Sequence, residues 1–246
     1  MAFGDFGGGR AQQAVADQMT TWAQTHRVDA LVTTGDNVYQ VGDPRLFDDY
    51  LDEPYATLRR TRPMWVTLGN HDIYSGHGDD QLRYLSLPEL PYAKTLPGVQ
   101  ILFLDGNRPD VAQRDWLEAR LTEAGPALRV VVFHQSAYSC AEHGSTPAID
   151  RRWVPVFEGH RVALVLNGHD HLYERYLSSS GVTYVVTGGG GQGLYEPTGS
   201  CTGVPPELAS ASRHHFVGIE IRGTTLTLTA VARNGTVIDT ATITRP

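Results

Sequence analysis

Short apolar runs alternate with amphipathic stretches along most of the chain. The apolar runs are bounded by turn residues, which is typical of buried strands, and they predict strands at residues 30–34, 64–68, 99–104, 129–133, 162–166 and 183–187. Between them, apolar residues recur with helical spacing and predict helices at residues 11–25, 44–58, 110–123 and 147–157. Strands and helices that alternate in this way indicate a layered α/β domain.

The last part of the chain has a different pattern. Residues 216–221, 225–231 and 236–242 alternate between apolar and polar positions with the period of a strand. Asn234-Gly235, between two of these runs, predicts a tight hairpin. We therefore expect a meander that closes the fold and completes a second sheet packed on the first. Because no repeat or linker-like segment divides the sequence, we predict one domain over residues 1–246.

The composition is that of an ordinary globular chain, since 41% of its 246 residues are hydrophobic and 19% are charged. A formal net charge of −7 argues against a broad nucleic-acid interface, which would need a surplus of Lys and Arg. The apolar runs are far shorter than the roughly 20 residues of a membrane span, so none is expected. The first residues, Met1-Ala2-Phe3, resemble the end of a strand, and we expect that strand to continue upstream of Met1 in the native chain.

Residues of metal-ligand type directly follow several predicted strands. They are Asp5, Asp36 with Tyr39, Asn70 with His71 and Asp72, His134, and His169 with His171. Each has an ordinary interpretation when taken alone, because an aspartate after a strand is most often a turn residue or a helix cap. Their joint arrangement is more informative, since the carboxyl ends of strands in an α/β sheet converge on one crevice. The sequence therefore predicts a metal site there.

Five short motifs carry a resemblance to a known family. They read Gly4-Asp5-Phe6-Gly7, Gly35-Asp36-Asn37-Val38-Tyr39, Gly69-Asn70-His71-Asp72, Val132-Phe133-His134 and Gly168-His169-Asp170-His171. In this order they resemble the calcineurin-like metallophosphoesterases, and within them the purple acid phosphatases. Ala141-Glu142-His143-Gly144, shortly after His134, is similar to the short, tartrate-resistant acid phosphatase-type branch. The resemblance implies a four-layer α/β/β/α sandwich of two mixed β-sheets flanked by helices.

The resemblance also implies two metal ions. It assigns the first ion to Asp5, Asp36, Tyr39 and His171, and the second to Asp36, Asn70, His134 and His169. Three anionic oxygens and one imidazole form a hard site that suits Fe(III). The second set has neutral donors beside the shared carboxylate and suits a divalent ion such as Zn, Mn or Fe(II).

Gly7 is the position that separates the purple subset from other relatives. Most other metallophosphoesterases have a histidine ligand there, and they lack a tyrosine ligand where this chain has Tyr39. A second glycine run, Gly188–Gly191, has no following Gly-Lys-Ser/Thr and is not a P-loop. We expect both glycine runs to let backbone segments pass close to the metal site.

For catalysis, the resemblance implies that a metal-bound hydroxide attacks the phosphorus atom in line. His71 and His143 are the candidates that protonate or stabilise the leaving group. Asp72 has two interpretations, because it either orients His71 or caps the segment that follows.

The function predicted is hydrolysis of phosphate monoesters, with a small phosphate ester as substrate. A phosphodiesterase with the same metal core is the nearest alternative. A non-catalytic metal- or phosphate-binding module is an alternative of a different class. Specificity depends on the loops around the metal site, and these loops contain no recognisable motif. The physiological substrate is therefore not predicted.

Cys140 and Cys201 exclude a zinc finger and a disulfide-rich scaffold, since two cysteines are too few for either. Both fall in loops that we predict on the side of the metal site. A disulfide between them and two free thiols are both compatible with the sequence. A disulfide, together with the family resemblance, would favour an extracytoplasmic or secreted location.

Overall fold

The structure, a computed structural model, describes residues 1–198 and 201–245. Its strands, in chain order, are β1 (Ala2–Phe3), β2 (Leu31–Thr33), β3 (Met64–Val66), β4 (Tyr92–Leu96), β5 (Val99–Phe103), β6 (Leu128–Val132), β7 (Leu164–Asn167), β8 (Tyr173–Leu177), β9 (Thr183–Thr187), β10 (Glu207–Ala211), β11 (His215–Arg222), β12 (Thr225–Ala232) and β13 (Val237–Thr244). Its α-helices are α1 (Gly9–Trp22), α2 (Ala56–Arg59), α3 (Asn70–Ile73), α4 (Gly78–Tyr84), α5 (Val111–Thr122), α6 (Pro147–Arg152) and α7 (Val154–Gly159).

The strands form two mixed sheets. The six-stranded sheet has the order β13-β12-β11-β1-β2-β3, and β1, β2 and β3 run parallel. The seven-stranded sheet has the order β10-β8-β9-β7-β6-β5-β4, with a parallel centre of β5, β6, β7 and β9. The meander of β11, β12 and β13 pairs with β1, so it completes the sheet that holds β1–β3, as expected.

Alternating side chains on the central strands produce the layers. On β6, Val130 and Val132 pack into the core between the two sheets, whereas Val131 faces the helices on the other side. The outer face of the seven-stranded sheet packs against α5, α6 and α7. The outer face of the other sheet packs against α1, through Val15 and Met19. The four-layer sandwich is therefore confirmed.

A partly buried ion pair also joins the two sheets. Arg175 on β8 donates to Asp239 on β13 through Nε at 2.5 Å and Nη2 at 3.0 Å, and the Tyr173 hydroxyl donates to the same carboxylate at 2.6 Å. These bonds lower the pKa of Asp239, although burial alone would raise it. They fix one sheet relative to the other.

Two of the predicted helices are interrupted, each by a proline. Residues 44–58 form a 3₁₀ turn (Pro44–Leu46), a π turn (Asp48–Asp52) and the short α2, with Pro54 in the gap. Residues 147–157 form α6 and α7, and Pro155 lies in the first turn of α7. Proline has no amide hydrogen to donate and clashes with the preceding turn, so it is tolerated where a helix starts and not in its interior.

No helix in the described ranges combines the length and the apolar composition needed to cross a bilayer.

Candidate metal centre

Asp5 and Asp36 lie at the carboxyl ends of the neighbouring strands β1 and β2, and both side chains are buried. Their backbones are left-handed, with φ of 59° and 49°. This conformation costs roughly 1–2 kcal/mol for a residue with a Cβ, and it occurs where the surrounding structure imposes it. The two turns bind each other, because the Asp5 amide donates to the Gly35 carbonyl and the Phe6 amide to the Asp36 carbonyl. The packing of the two turns therefore fixes the directions of both carboxylates.

The first predicted ligand set comes together on one side of Asp36. The Tyr39 hydroxyl lies 3.1 Å from Asp36 Oδ2 and 3.3 Å from His171 Nε2, and that nitrogen is 3.6 Å from Asp5 Oδ1. His171 donates its Nδ1–H to the Gly193 carbonyl at 2.7 Å. This bond leaves the Nε2 lone pair pointing at the oxygens, the orientation of a metal-binding histidine.

The second predicted ligand set lies on the other side of Asp36. His134 Nε2 is 3.3 Å from Asp36 Oδ2, 3.2 Å from Asn70 Oδ1 and 3.2 Å from His169 Nδ1. His134 donates its Nδ1–H to the Thr34 carbonyl at 2.9 Å, which again frees Nε2. His169 is also left-handed, with φ of 72°, and its amide donates to the Asp5 carboxylate.

Both sheets contribute to this cluster. Asp5, Asp36 and Asn70 follow strands of the six-stranded sheet, whereas His134 and His169 follow β6 and β7 of the seven-stranded sheet. All the predicted ligands are thus brought together, at the carboxyl ends of the two facing sheets. The ligands converge on one crevice, as expected. The crevice lies between two sheets and not at the edge of one sheet.

Within the described part of the chain, no lysine or arginine pairs with the carboxylates of the cluster. Among the described residues, only histidines come within ion-pair distance of Asp5 and Asp36. Burial, together with the charge of Asp36, raises the pKa of Asp5 well above its usual value. For Asp36, burial also acts to raise the pKa, but His134 and His71 outweigh it and lower the value to about 2. Burial and the two carboxylates raise the pKa of Tyr39.

A metal ion fits this arrangement. Donor atoms of Asp5, Asp36 and His134 all lie within 4.8 Å of one another. Ligands about 2.0–2.2 Å from a metal are roughly 3–3.5 Å from each other in tetrahedral or octahedral geometry, close to the separations within both sets. Bound cations would also compensate the buried carboxylates and favour the phenolate form of Tyr39.

Gly7 is required by close packing of the backbone. Its φ is +69°, and a Cβ there would lie 2.5 Å from the Cα of Gln192. The Gly188–Gly191 run passes beside it, with the Gly190 amide donating to the Gly4 carbonyl at 2.8 Å. A Cβ on Gly191 would overlap the Phe6 carbonyl oxygen. Both glycine runs therefore let backbone segments meet beside the metal cluster, as predicted.

Asp72 binds the two loops that carry Asp36 and Asn70. Its buried carboxylate accepts hydrogen bonds from the Gly69, Asn37 and Val38 amides and from the side chains of Asn37 and Gln81, at 2.8–3.1 Å. The Nδ1–H of His71 donates instead to the Gln40 carbonyl, at 2.7 Å. The geometry therefore favours the interpretation in which Asp72 caps the segment that follows it over the one in which Asp72 orients His71. No sequence motif indicates the contributions of Asn37 and Gln81.

The two proton-donor candidates lie beside different ligands of the cluster. His71 Nε2 is 4.0 Å from Asp36 Oδ2, and its side chain is 26% exposed. His143 lies on an exposed loop, and its ring stacks on His169 with centroids 4.1 Å apart. Two tyrosines of the rim were not predicted. Tyr74 bonds Asn70 Nδ2 at 2.8 Å, and Tyr195 stacks on His171.

Cys140 and Cys201 form a disulfide, which decides between the two alternatives left by the sequence. Their Cα atoms are 5.5 Å apart. The bond ties the loop that carries His143 to the segment that follows Tyr195. It therefore restrains the rim on the side of the seven-stranded sheet.

The sequence matches the calcineurin-like phosphoesterase family over residues 1–173, which is more than half of the chain. The chain belongs to this family. Purple acid phosphatase 4 of Arabidopsis thaliana is 28% identical over 231 residues, covering 78% of this chain and 67% of that protein. Tartrate-resistant acid phosphatase type 5 of Mus musculus is 28% identical over 234 residues, covering 77% of this chain and 71% of that protein.

Solved structures show the same fold. A purple acid phosphatase from yellow lupin seeds superposes with a TM-score of 0.83 at 18% identity, covering 99% of this chain and 53% of that one. The anchor in the inner membrane complex of Plasmodium gives a TM-score of 0.81 at 17% identity, and the match covers 100% of this chain and 88% of that one. This calcineurin-like phosphoesterase spans about two thirds of the curated relatives and about half of the lupin enzyme. Family and relatives together indicate metal-dependent phosphoester hydrolysis.

Asp5→Asn should separate metal binding from folding in this calcineurin-like phosphoesterase. In the metal-free protein the variant should melt at or above the wild-type temperature, because it removes a buried charge beside Asp36. Saturating Fe(III), the ion assigned to the ligand set that contains Asp5, should stabilise the wild type by about 2.7 kcal/mol at 100 times Kd, or roughly 5–10 °C for a chain of this size. The variant should lose most of that increase in thermal-shift assays.

Asp17→Asn, on the exposed face of α1, is the control and should keep the full increase. An Asp5→Asn protein that gained as much from metal as the wild type would exclude Asp5 as a ligand.

Proposed function

We propose that this protein hydrolyses phosphate monoesters at a dinuclear metal centre bridged by Asp36. The observation that carries the proposal is the position of Asp36 Oδ2, which lies 3.1 Å from the Tyr39 hydroxyl in one ligand set and 3.3 Å from His134 Nε2 in the other. A carboxylate between two sets of metal donors is the arrangement that holds two ions roughly 3.5–4 Å apart. The similarity to purple acid phosphatases supports the same assignment.

The donor chemistry of the two sets supports two different ions. Asp5, Asp36, Tyr39 and His171 supply hard anionic oxygens, which suit Fe(III). Burial and the neighbouring carboxylates raise the pKa of Tyr39, so this side chain needs a strong Lewis acid in order to bind as phenolate. Asn70, His134 and His169 supply neutral donors beside Asp36 and suit Zn, Mn or Fe(II).

Bound ions would neutralise the phosphoryl oxygens as charge moves during the reaction. The protein itself supplies the orientation and the proton. Because the Nδ1–H of His71 is held by the Gln40 carbonyl, its Nε2 is free at the mouth of the site. His143 lies beside His169. Two histidines next to ligands of the cluster are suited to protonating the leaving oxygen of a terminal phosphoryl group.

We also propose an oxidising, extracytoplasmic location. The Cys140–Cys201 disulfide supports it, because structural disulfides persist in such compartments and are rare in reducing ones.

Substrate preference tests the proposed reaction directly. We expect metal-replete protein to turn over p-nitrophenyl phosphate well above bis(p-nitrophenyl) phosphate, since the latter carries a second organic group that the rim must accommodate. Asp36→Asn should abolish turnover of both esters, because it removes the charge shared by the two ions. Steady-state kcat/KM for each ester is the measurement, with bound metal counted by elemental analysis.

A reversed preference would identify a phosphodiesterase with the same ligands. If two metals were bound and neither ester reacted, the protein would be a non-catalytic metal- or phosphate-binding module.

Tyr39→Phe tests the assignment of Fe(III). A phenolate bound to Fe(III) gives a charge-transfer band in the visible spectrum, and the variant should lose that band while it retains the Asp5, Asp36 and His171 donors. Protein loaded with Fe(III) should therefore be coloured as wild type and nearly colourless as the variant. An unchanged band in the variant would mean that Tyr39 does not bind the iron.

His71→Ala should retain both metals and lose most of its turnover. General acids typically contribute 10²–10⁴-fold, so we expect kcat to fall by about 100-fold. His160→Ala is the matched control, because this partly exposed histidine bonds Glu118 far from the cluster. A metal-replete His71→Ala protein with wild-type kcat would show that His71 has no part in the chemistry.

A further inference from the structure

Residues 192–198 form a segment, here called the rim strap, that crosses the metal cluster after the second glycine run. The Gln192 amide donates to the Asp5 carbonyl at 3.0 Å, and the Gly193 carbonyl accepts the Nδ1–H of His171 at 2.7 Å. Further along, the Thr198 amide donates to the Cys140 carbonyl at 3.0 Å. The rim strap is thus bound to elements from both sheets, which fixes its backbone beside the cluster.

Tyr195 lies at the centre of the rim strap. Its amide donates to the carbonyl of His171 at 3.1 Å. Its ring stacks on the imidazole of His171, with centroids 4.2 Å apart and planes 18° apart. Backbone and ring are therefore both fixed against one predicted ligand, so the position of the hydroxyl is fixed as well.

That hydroxyl lies 3.3 Å from Nε2 of His143. Among the described residues, this hydroxyl is the group that hydrogen-bonds a ring nitrogen of His143. The other contacts of His143 are the stacking of its ring on His169 and the bond from its amide to Asp170 at 2.8 Å. Stacking leaves the ring free to flip about its own axis, so the hydroxyl decides which edge faces the cluster.

We propose that Tyr195 is a positioning residue that holds the Nε2 edge of His143 toward the leaving group. This inference rests on the proposed phosphomonoesterase function. In the step concerned, an oxygen from water forms a new bond to phosphorus while the bond from phosphorus to the ester oxygen breaks, and the electron pair of the broken bond passes to the ester oxygen. That oxygen accepts the proton carried by Nε2 of His143. Until then the Nε2–H is shared between the Tyr195 hydroxyl and the arriving ester oxygen.

The dependence of kcat on the leaving group shows whether Tyr195 positions His143 or has a merely structural role. Phenolate, with a pKa near 10 like tyrosine, needs protonation, whereas nitrophenolate is stable enough to depart without it. Tyr195→Phe keeps the stacking on His171 and removes only the hydroxyl. We expect it to lower kcat for phenyl phosphate by about 10-fold and kcat for p-nitrophenyl phosphate by less than about 2-fold.

A double-mutant cycle tests the link to His143. If Tyr195 acts through His143, then Tyr195→Phe should cost nothing further in a His143→Ala background. Tyr84→Phe is the matched control, since this exposed tyrosine bonds Asp52 away from the cluster, and it should resemble wild type. Bound metal should be the same in all variants.

A second readout needs no turnover. In metal-free protein, Tyr195→Phe should shift the imidazole nitrogen resonances of His143, and Tyr84→Phe should leave them in place. Equal losses on both esters, additive losses with His143→Ala, or unchanged His143 resonances would each overturn the proposal. If wild-type protein did not hydrolyse p-nitrophenyl phosphate at all, the proposed function would fail, and the resonances would still report whether Tyr195 orients His143.

Discussion

The arrangement of the metal site depends on two buried carboxylates, Asp5 and Asp36, that no lysine or arginine neutralises within the described residues. Buried charges without a partner are costly, and a protein retains them where a cation supplies the missing charge. The left-handed backbones at both aspartates and the glycine at position 7 are consequences of bringing these carboxylates together. The tautomers of His134 and His171 are consequences as well, since a backbone carbonyl holds the Nδ1–H of each of these rings and turns its Nε2 inward.

The sequence was sufficient for the parts of the molecule that depend on local chemistry. Strand-end motifs identified the residues that converge, because each motif places its ligand within a few residues of a buried strand. The rim could not be predicted in the same way. Tyr195 reaches His143 only because the rim strap packs on Asp5 and His171, which are far from it in sequence. The helix interruptions could have been predicted from Pro54 and Pro155. They were missed because the prediction rested on apolar periodicity, which a proline does not change.

The fold and the reaction are separate conclusions. The same sandwich is found in a lupin purple acid phosphatase and in an anchor of the Plasmodium inner membrane complex, at 18% and 17% identity. Architecture alone therefore supports neither catalysis nor binding. Support for catalysis comes instead from the cluster itself, where Asp36 Oδ2 contacts donors of both predicted sets and His71 lies beside it.

The two sides of the rim are stabilised by different means. On the side of His71, the buried carboxylate of Asp72 joins the loops through several hydrogen bonds from backbone amides and from Gln81. Such a network is stable because it is shielded from water, where each bond is stronger. On the side of His143 the loop is exposed, and its hydrogen bonds compete with solvent. The disulfide and the stacked ring of Tyr195 supply there the restraint that burial supplies on the other side. Both proton-donor candidates are thus held in place, one by a buried polar network and the other by a covalent bond and an aromatic contact.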